Sequence, residues 1–370
     1  MGDRHSTLEG LVVNPSFWEG RQVFITGHTG FKGGWLSLWL KSMGARVTGY
    51  SLDPPTRPSL FEVAEVARGI NSIHGDIRDL ASLRTALSDS DPEVIFHLAA
   101  QPLVRRSYLD PLETFSTNIM GTVNLLESLR ALQGRRVLVN VTTDKCYENR
   151  EWLWPYRENE PLGGYDPYSS SKACSELVTS AYRRSFFSTQ DSGLRIASAR
   201  AGNVIGGGDW SLDRLVPDLI SAFSRGVPVK IRYPAAIRPW QHVLEPLRGY
   251  LMLAEALVNQ GTGFDEAFNF GPSEAAVVSV GELVEQASLL WGEGACLELS
   301  KESHLHEAGL LKLDISKARS VLGWQPCLDL EESLRLTLGW AKDCLQGCNM
   351  QEVTQRQIDH YQEHIRNDLT

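Results

Sequence analysis

The run Val23-Phe24-Ile25-Thr26-Gly27-His28-Thr29-Gly30-Phe31-Lys32-Gly33 sets the fold of this chain. An apolar strand enters three glycines spaced G-x-x-G-x-x-G. A helix carrying Trp35, Leu36, Leu38, Trp39, Leu40 and Met43 starts at once. A strand, a tight turn and a helix N-terminus together make an anion site, because backbone N–H groups point outward and the helix dipole favours negative charge there. Gly27, Gly30 and Gly33 lack the Cβ that would hold a pyrophosphate off the backbone. Thr29 and Phe31 lie in the same turn and are expected to touch the cofactor with them. Asp53 follows Gly33 by twenty residues, just past the strand that runs to Leu52. A carboxylate there can hydrogen-bond an adenosine ribose diol. A glycine turn can also serve only close helix–strand packing, but its flanks and Asp53 favour a dinucleotide. Arg57 could meet a 2′-phosphate, whereas Asp53 would repel one, so NAD is expected rather than NADP.

The bulk numbers exclude several classes. The chain has 370 residues, 22% charged and 42% hydrophobic, with a net charge of -9. That leaves no electrostatic footprint for nucleic acid or an anionic membrane. A phosphate-bearing substrate must be held by local cations and backbone N–H groups. No stretch has the length of a membrane-spanning helix, and the polar Met1–Gly10 segment shows no secretory signal. Six cysteines lack metal-ligand spacing, which fits a reduced, cytoplasmic chain. His304 and His306 read as a solvated loop, and no metal site is expected.

Strands and helices then alternate. Ile70–Ile77 reads as a third strand, with Asp76 and Ile77 at its ligand-facing end. Asp76 could accept from an adenine amino group or, with Asp79, cap the next helix. Glu93–Ala100 is a buried fourth strand, where the small Ala99 and Ala100 leave space for the cofactor. A long helix from Pro111 to Gln133 carries Asn118 among its apolar positions. Arg136–Val141 is the fifth strand. Glu151–Tyr165 reads as a flap over the site. The expected fold is α/β, a Rossmann-type doubly wound parallel sheet with a smaller, discontinuous C-terminal α+β substrate domain. The cofactor domain is expected over 1–200 and 240–271, and the substrate domain over 201–239 and 272–370.

Tyr168 and Lys172 stand four apart at a helix start and share a face. A free phenol, with a pKa of about 10, is no base at neutral pH. A nearby ammonium and a positive nicotinamide ring would stabilise the phenolate. Such a tyrosine can take a hydroxyl proton while hydride leaves the same carbon. Lys172 can also hold the nicotinamide ribose.

The glycine turn, Thr143, Tyr168-x-x-x-Lys172 and Gly202-Asn203-Val204 together resemble the extended short-chain dehydrogenase/reductase family of nucleotide-sugar enzymes, over residues 17–345. The resemblance implies bound NAD(P), a nucleotide-sugar substrate and a homodimer or homotetramer built through the helix carrying the tyrosine. Thr143-Asp144 looks like the 4,6-dehydratases of that family. Asp144-Lys145-Cys146-Tyr147, His28–Gly33 and Ile205–Trp210 are most similar to its CDP-glucose branch, which implies a role in deoxysugar supply for surface polysaccharides. The implied reaction oxidises C4 of the hexose, expels water across C5 and C6, and returns hydride to C6. Asp144 would donate to the C6 oxygen, and Thr143 would bond the C4 oxygen and assist Tyr168. In the dTDP-glucose branch a glutamate follows the aspartate and takes the C5 proton. Lys145 replaces it here and is expected as that base, with a water or Tyr147 as alternatives. By the same resemblance Asn203 and Arg238 are contacts to the substrate diphosphate, while Arg232 could meet the base or ribose and Asn269, before Gly271, could be a further phosphate contact. A 4-epimerase on the same fold, or a non-enzymatic NAD-binding scaffold, are the competing readings. The Asp144-Lys145 pair speaks against the first and the intact Thr143, Tyr168 and Lys172 against the second.

Overall fold

The computed structural model describes residues 13–187, 193–231, 233–260, 263–299 and 309–368. Arg232, His304 and His306 lie outside the described residues. A seven-stranded, wholly parallel sheet carries the fold. Its strands are β1 (Gln22–Thr26), β2 (Arg46–Ser51), β3 (Asn71–His74), β4 (Val94–His97), β5 (Arg136–Val141), β6 (Leu194–Arg200) and β7 (Ala267–Asn269), in the order β7-β6-β5-β4-β1-β2-β3. The order reverses between β1 and β4, and in open α/β sheets that reversal opens the crevice where ligands bind.

Alternating side chains of the strands feed separate cores on the two faces. Val23 and Ile25 of β1, with Val94 and Phe96 of β4, pack with the helices Phe31–Ser42 (α1) and Leu244–Asn259. Phe24, Ile95 and Leu138 point the other way, toward the helices Leu80–Ser90 (α2) and Gly121–Arg130 (α3). Each fully buried leucine of α1, such as Leu36 or Leu40, contributes on the order of 1.5–3 kcal/mol relative to exposure. Trp18, from the leader, is also fully buried and donates to Glu255 at 2.7 Å.

The helix expected over 111–133 is interrupted. Pro111–Phe115 leads into a π-turn at Ser116–Met120 before α3 begins. The wide turn brings Asn118 inward, where it accepts from Gln101 N at 2.8 Å and donates to Ser171 Oγ at 2.8 Å. Beyond β6 a third core forms from Ile205, Val216, Leu219, Phe223, Trp240, Leu283 and Leu334. The chain returns to the sheet through Leu244–Asn259 and β7. Two helices end it, Leu330–Leu345 and Met350–Asp368. The last packs back on α1, with Tyr361 edge-on to Trp39 at 5.8 Å.

Candidate active site

β1 delivers the glycine turn to the sheet's C-terminal edge. Gly27 has φ +82, and a Cβ there would lie 2.7 Å from the Ala99 nitrogen. A Cβ on Gly33 would overlap the Gly27 carbonyl, whereas one on Gly30 would meet only the Gly27 oxygen, at 3.4 Å. Gly27 and Gly33 thus close the turn, and Gly30 leaves its surface open. No side chain caps the start of α1, so its first N–H groups face that opening. This cradle suits a pyrophosphate. Thr29 ties the turn to the end of β2, with its hydroxyl on Ser51 Oγ at 2.8 Å and Leu52 O at 2.9 Å. Phe31 is half-buried at the helix start.

Asp53 is largely exposed beyond β2, 3.5 Å from His74 Nε2, and is open to a ribose. Asp76 does not cap the next helix. Asp79 caps α2 through the Ala81 and Ser82 nitrogens, while the Asp76 oxygens are held by the Arg78 guanidinium and backbone nitrogen at 2.5–3.0 Å. Ile77 is buried against Gly121. Ala99 and Ala100 sit partly exposed at the end of β4, with Ala99 N donating to Thr26 Oγ1 at 3.1 Å.

The second half of the site joins the end of β5 to the helix Pro167–Phe186 (α4). Asp166 caps α4 and accepts from Ser169 N at 2.9 Å. Ser107 Oγ accepts from Tyr168 N at 3.1 Å. Thr143 leaves β5 and caps a short 3-10 turn over Asp144–Cys146. Its hydroxyl donates to Asp144 Oδ1 at 3.0 Å and accepts from Lys145 N at 3.3 Å, and both Thr143 and Asp144 act on the nearby Tyr168 phenol. Asp144 is 1% exposed, and its Oδ2 has no partner. Gly202 makes that burial possible, since a methyl there would overlap the Asp144 carboxylate. Thr143, Asp144 and Tyr168 therefore form one cluster, with Lys172 a turn further along α4. Lys145 follows, half-buried.

The electrostatics differ from the sequence expectation in one respect. Burial raises the Tyr168 phenol to about 12, against lowering by Thr143 and by Arg214. The expected ammonium, Lys172, donates instead to Val141 O at 3.2 Å. Burial lowers Lys172 to about 8, opposed by Glu176. Arg214 also acts on the phenol, and it pairs with Asp209 at 2.8 Å. Lys32, inside the glycine turn, belongs to the same cluster. Burial and the nearby Arg214 and Lys172 lower it to about 7, while Asp144 and Asp209 oppose the shift. Sequence reasoning missed Lys32 although a signal was present. A cation on the first turn of a helix opposes the dipole, so a special environment was called for.

The substrate contacts fare unevenly. Asn203 adopts φ +46, a left-handed conformation uncommon outside glycine, with its carbonyl accepting from Gln241 N at 3.3 Å. Arg238 lies on the strand Ile237–Pro239 and donates to Ile237 O at 2.9 Å. Asn269 is a correction. It is fully buried, accepting from Tyr147 Oη at 2.7 Å and donating to Tyr156 O and Asp314 O. Those bonds use up its amide and leave nothing for a phosphate. Tyr147 is locked by the same bond and by Arg200 at 2.8 Å, and burial pushes its phenol well up, which removes it as a base. The expected flap is pinned as well: Tyr156 stacks on Tyr147 and bridges to Leu313. Among the described residues no group of side chains could hold a metal ion, and no helix is long and apolar enough to cross a membrane.

Comparison with known proteins agrees with this arrangement. A sequence model of the family described as GDP-mannose 4,6 dehydratase matches residues 24–337. The chain is 52% identical to a CDP-glucose 4,6-dehydratase of Salmonella typhimurium, over 95% of this chain and 98% of that protein. It is 31% identical to a dTDP-glucose 4,6-dehydratase of Streptomyces griseus, over 72% and 76% of the two chains. Among solved structures, MoeE5 in complex with UDP-glucose and NAD superposes with a TM-score of 0.74 at 26% identity, covering 88% of this chain and 99% of that one. With its crossover sheet, its open glycine cradle and the Thr143–Asp144–Tyr168 cluster, the chain belongs to the 4,6-dehydratase family of nucleotide-sugar enzymes.

Proposed function

We propose that this chain is a hydro-lyase that converts CDP-D-glucose to CDP-4-keto-6-deoxy-D-glucose with NAD as a recycled cofactor. The observation that carries the reading is the buried Asp144 carboxyl, held on one oxygen by Thr143 and unpartnered on the other. A 4-epimerase needs no acid at C6. Identity of 52% to a CDP-glucose enzyme supports the choice of base.

Gly27, Gly30, Gly33 and the start of α1 would hold the pyrophosphate of NAD, Asp53 its adenosine ribose and Lys172 its nicotinamide ribose. When bound, NAD would supply a hydride acceptor for C4 and a hydride donor for C6. Tyr168 takes the C4 hydroxyl proton, and Thr143 orients the C4 oxygen. Asp144 protonates the C6 oxygen, so that water leaves instead of hydroxide. Lys145, directly after Asp144, would take the C5 proton. Lys32 is a second reading for that base, because its lowered amine is the property such a base requires. Asn203 and Arg238 serve the substrate diphosphate, a role suited to a guanidinium fork.

Exposed Leu109, Leu112, Met120 and Leu177 support assembly as a homodimer or homotetramer across α4. Six free thiols fit a reducing cytoplasm. The core formed by residues between Ile205 and Leu338 supports a substrate domain distinct from the cofactor domain. The deciding experiment incubates the protein with CDP-, dTDP-, UDP- and GDP-glucose and weighs the products. Loss of one water from CDP-glucose is expected. A mass-neutral isomer, or water lost only from another nucleotide sugar, overturns the reading.

A further inference from the structure

The backbone that walls in Asp144 is itself held by one side chain. Gly202 follows β6 and lies so near Asp144 that a Cβ on it would overlap the carboxylate carbon and both oxygens. Gln241 stands on the short strand Gln241–His242, which pairs in parallel with Val204–Ile205. Its Nε2 donates to Gly202 O at 3.2 Å and to Phe270 O at 2.8 Å. Phe270 follows β7, and its nitrogen donates to Arg200 O at 2.8 Å, at the end of β6. One amide thus ties the chain leaving β6 to the chain leaving β7.

An amide nitrogen carries two protons, and both are used here. Gln241 is 2% exposed, so bulk water cannot stand in for either bond. Its Oε1 has no partner. Turned over, the amide would set that oxygen against two carbonyl oxygens with no proton between them, so the neighbours fix its orientation. Leaving a buried acceptor unpaired is unfavourable, and what the fold gains from glutamine at this position is the pair of donors. Asp144 has few other restraints. Thr143 holds Oδ1 at 3.0 Å, and Oδ2 has no partner. The Gly202 backbone therefore limits where the carboxyl group can lie.

We propose that Gln241 is a positioning residue for water loss: its amide fixes Gly202, and Gly202 holds the Asp144 carboxyl where it meets the C6 oxygen. The inference rests on the dehydration reading above. Substrate grip does not depend on the same amide. Asn203 O accepts from Gln241 N at 3.3 Å, a backbone bond that a change of side chain leaves in place. C4 oxidation belongs to Tyr168, whose nitrogen is held on α4 by Ser107 Oγ at 3.1 Å. Loss of the amide should therefore reach the dehydration step and spare both binding and C4 oxidation.

The test reads the two steps separately in holoenzyme mixed rapidly with CDP-glucose. Nicotinamide absorbance reports C4 oxidation, and product mass reports water loss. Gln241→Leu, similar in size and without a donor, should keep KM and C4 oxidation within a few-fold of wild type. It should lose water about 10²-fold more slowly, so that reduced nicotinamide builds up. Gln241→Glu keeps the shape and, held neutral by burial, offers one donor. It should fall between wild type and the leucine variant, and it covers the case in which leucine packs badly. In the Asp144→Asn background, Gln241→Leu should slow water loss by no more than about 2-fold further, because both changes act on one group. Wild-type dehydration in both Gln241 variants, equal slowing of both steps, or a further loss of about 10²-fold in the Asp144→Asn background overturns the positioning role while leaving dehydration in place. If wild type removes no water from CDP-glucose, the dehydration reading fails and the positioning role falls with it.

Discussion

The carboxylate of Glu176 and the guanidinium of Arg200 meet through two parallel hydrogen bonds, each 3.0 Å long, with both side chains 4% exposed. Glu176 lies one turn past Lys172 on α4 and also accepts from Thr142 at 2.5 Å and Ser198 at 2.7 Å. Arg200 reaches on to Tyr147 and to Glu158 O at 3.0 Å. The pair thus joins α4 to β5 and β6 directly beneath the reacting groups. Burial alone would raise the Glu176 carboxyl, but Arg200 and the hydroxyl donors bring it below its ordinary value. Removing one partner of such a pair strands the other charge. Glu176→Gln should cost about 3–5 kcal/mol in urea unfolding. Because the folded carboxyl is lowered, the wild-type advantage should be full above the unfolded pKa of about 4.3 and shrink as pH falls through the folded value. A loss under about 1 kcal/mol at neutral pH would mean the pair is not the joint described.

The phenol of Tyr168, raised to about 12 by burial, is protonated in the protein alone at any ordinary pH. A positive charge arriving beside it favours the anion. Binding of oxidised NAD at pH 8–9 should therefore release about one proton per site. The release can be read with an indicator dye in weakly buffered solution. Reduced cofactor, whose ring is neutral, and the Tyr168→Phe variant should release much less. Equal release in all three cases would place the titrating group elsewhere.

Lys32 makes a prediction of opposite sign. Its folded pKa of about 7 lies below the unfolded value of about 10.4, so the unfolded chain binds more protons between those limits. The residue's cost is complete below pH 7 and fades as pH rises toward 10. Lys32→Met should raise the melting temperature at pH 6–7 and converge on wild type near pH 10. The same variant separates the two candidate bases. With product formed in deuterated water, loss of deuterium at C5 in Lys32→Met but not in Lys145→Met would identify Lys32 as the base. The reverse result would assign it to Lys145.

Gly202 reserves the space into which the Asp144 carboxylate folds. Gly202→Ala should push that carboxylate aside while leaving the glycine cradle intact. NAD binding should stay within a few-fold of wild type, and turnover should fall about 10²-fold. Asp144→Asn should instead keep C4 oxidation, seen as nicotinamide absorbance, and slow water loss by about 10²–10⁴-fold. Dehydration at the wild-type rate in either variant removes Asp144 from the acid role.

Sequence alone revealed the features written locally. The glycine turn, the alternation of strands and helices, and the four-residue step from Tyr168 to Lys172 each depend on neighbours in the chain. It also put Thr143 and Asp144 at the end of β5. The rest depends on contacts between distant residues. Lys32 and Arg214 meet across the fold, Glu176 reaches β6, and Asn269 closes on Tyr147, 122 positions away. Asn269 read as a phosphate ligand because an asparagine before a glycine has a free amide until the fold supplies partners. Asp76 read as a possible cap because Arg78, two residues on, has no fixed direction in a sequence.

The final helix, Met350–Asp368, lies on α1, and Tyr361 there donates to Glu245 at 2.8 Å while facing Trp39. A strand and turn made early thus lean on a helix made much later. During synthesis the nucleotide cradle would wait, without its outer support, until the stretch through residue 368 has left the ribosome. A nascent polypeptide arrested before residue 350 should retain NAD poorly compared with one extended past residue 368.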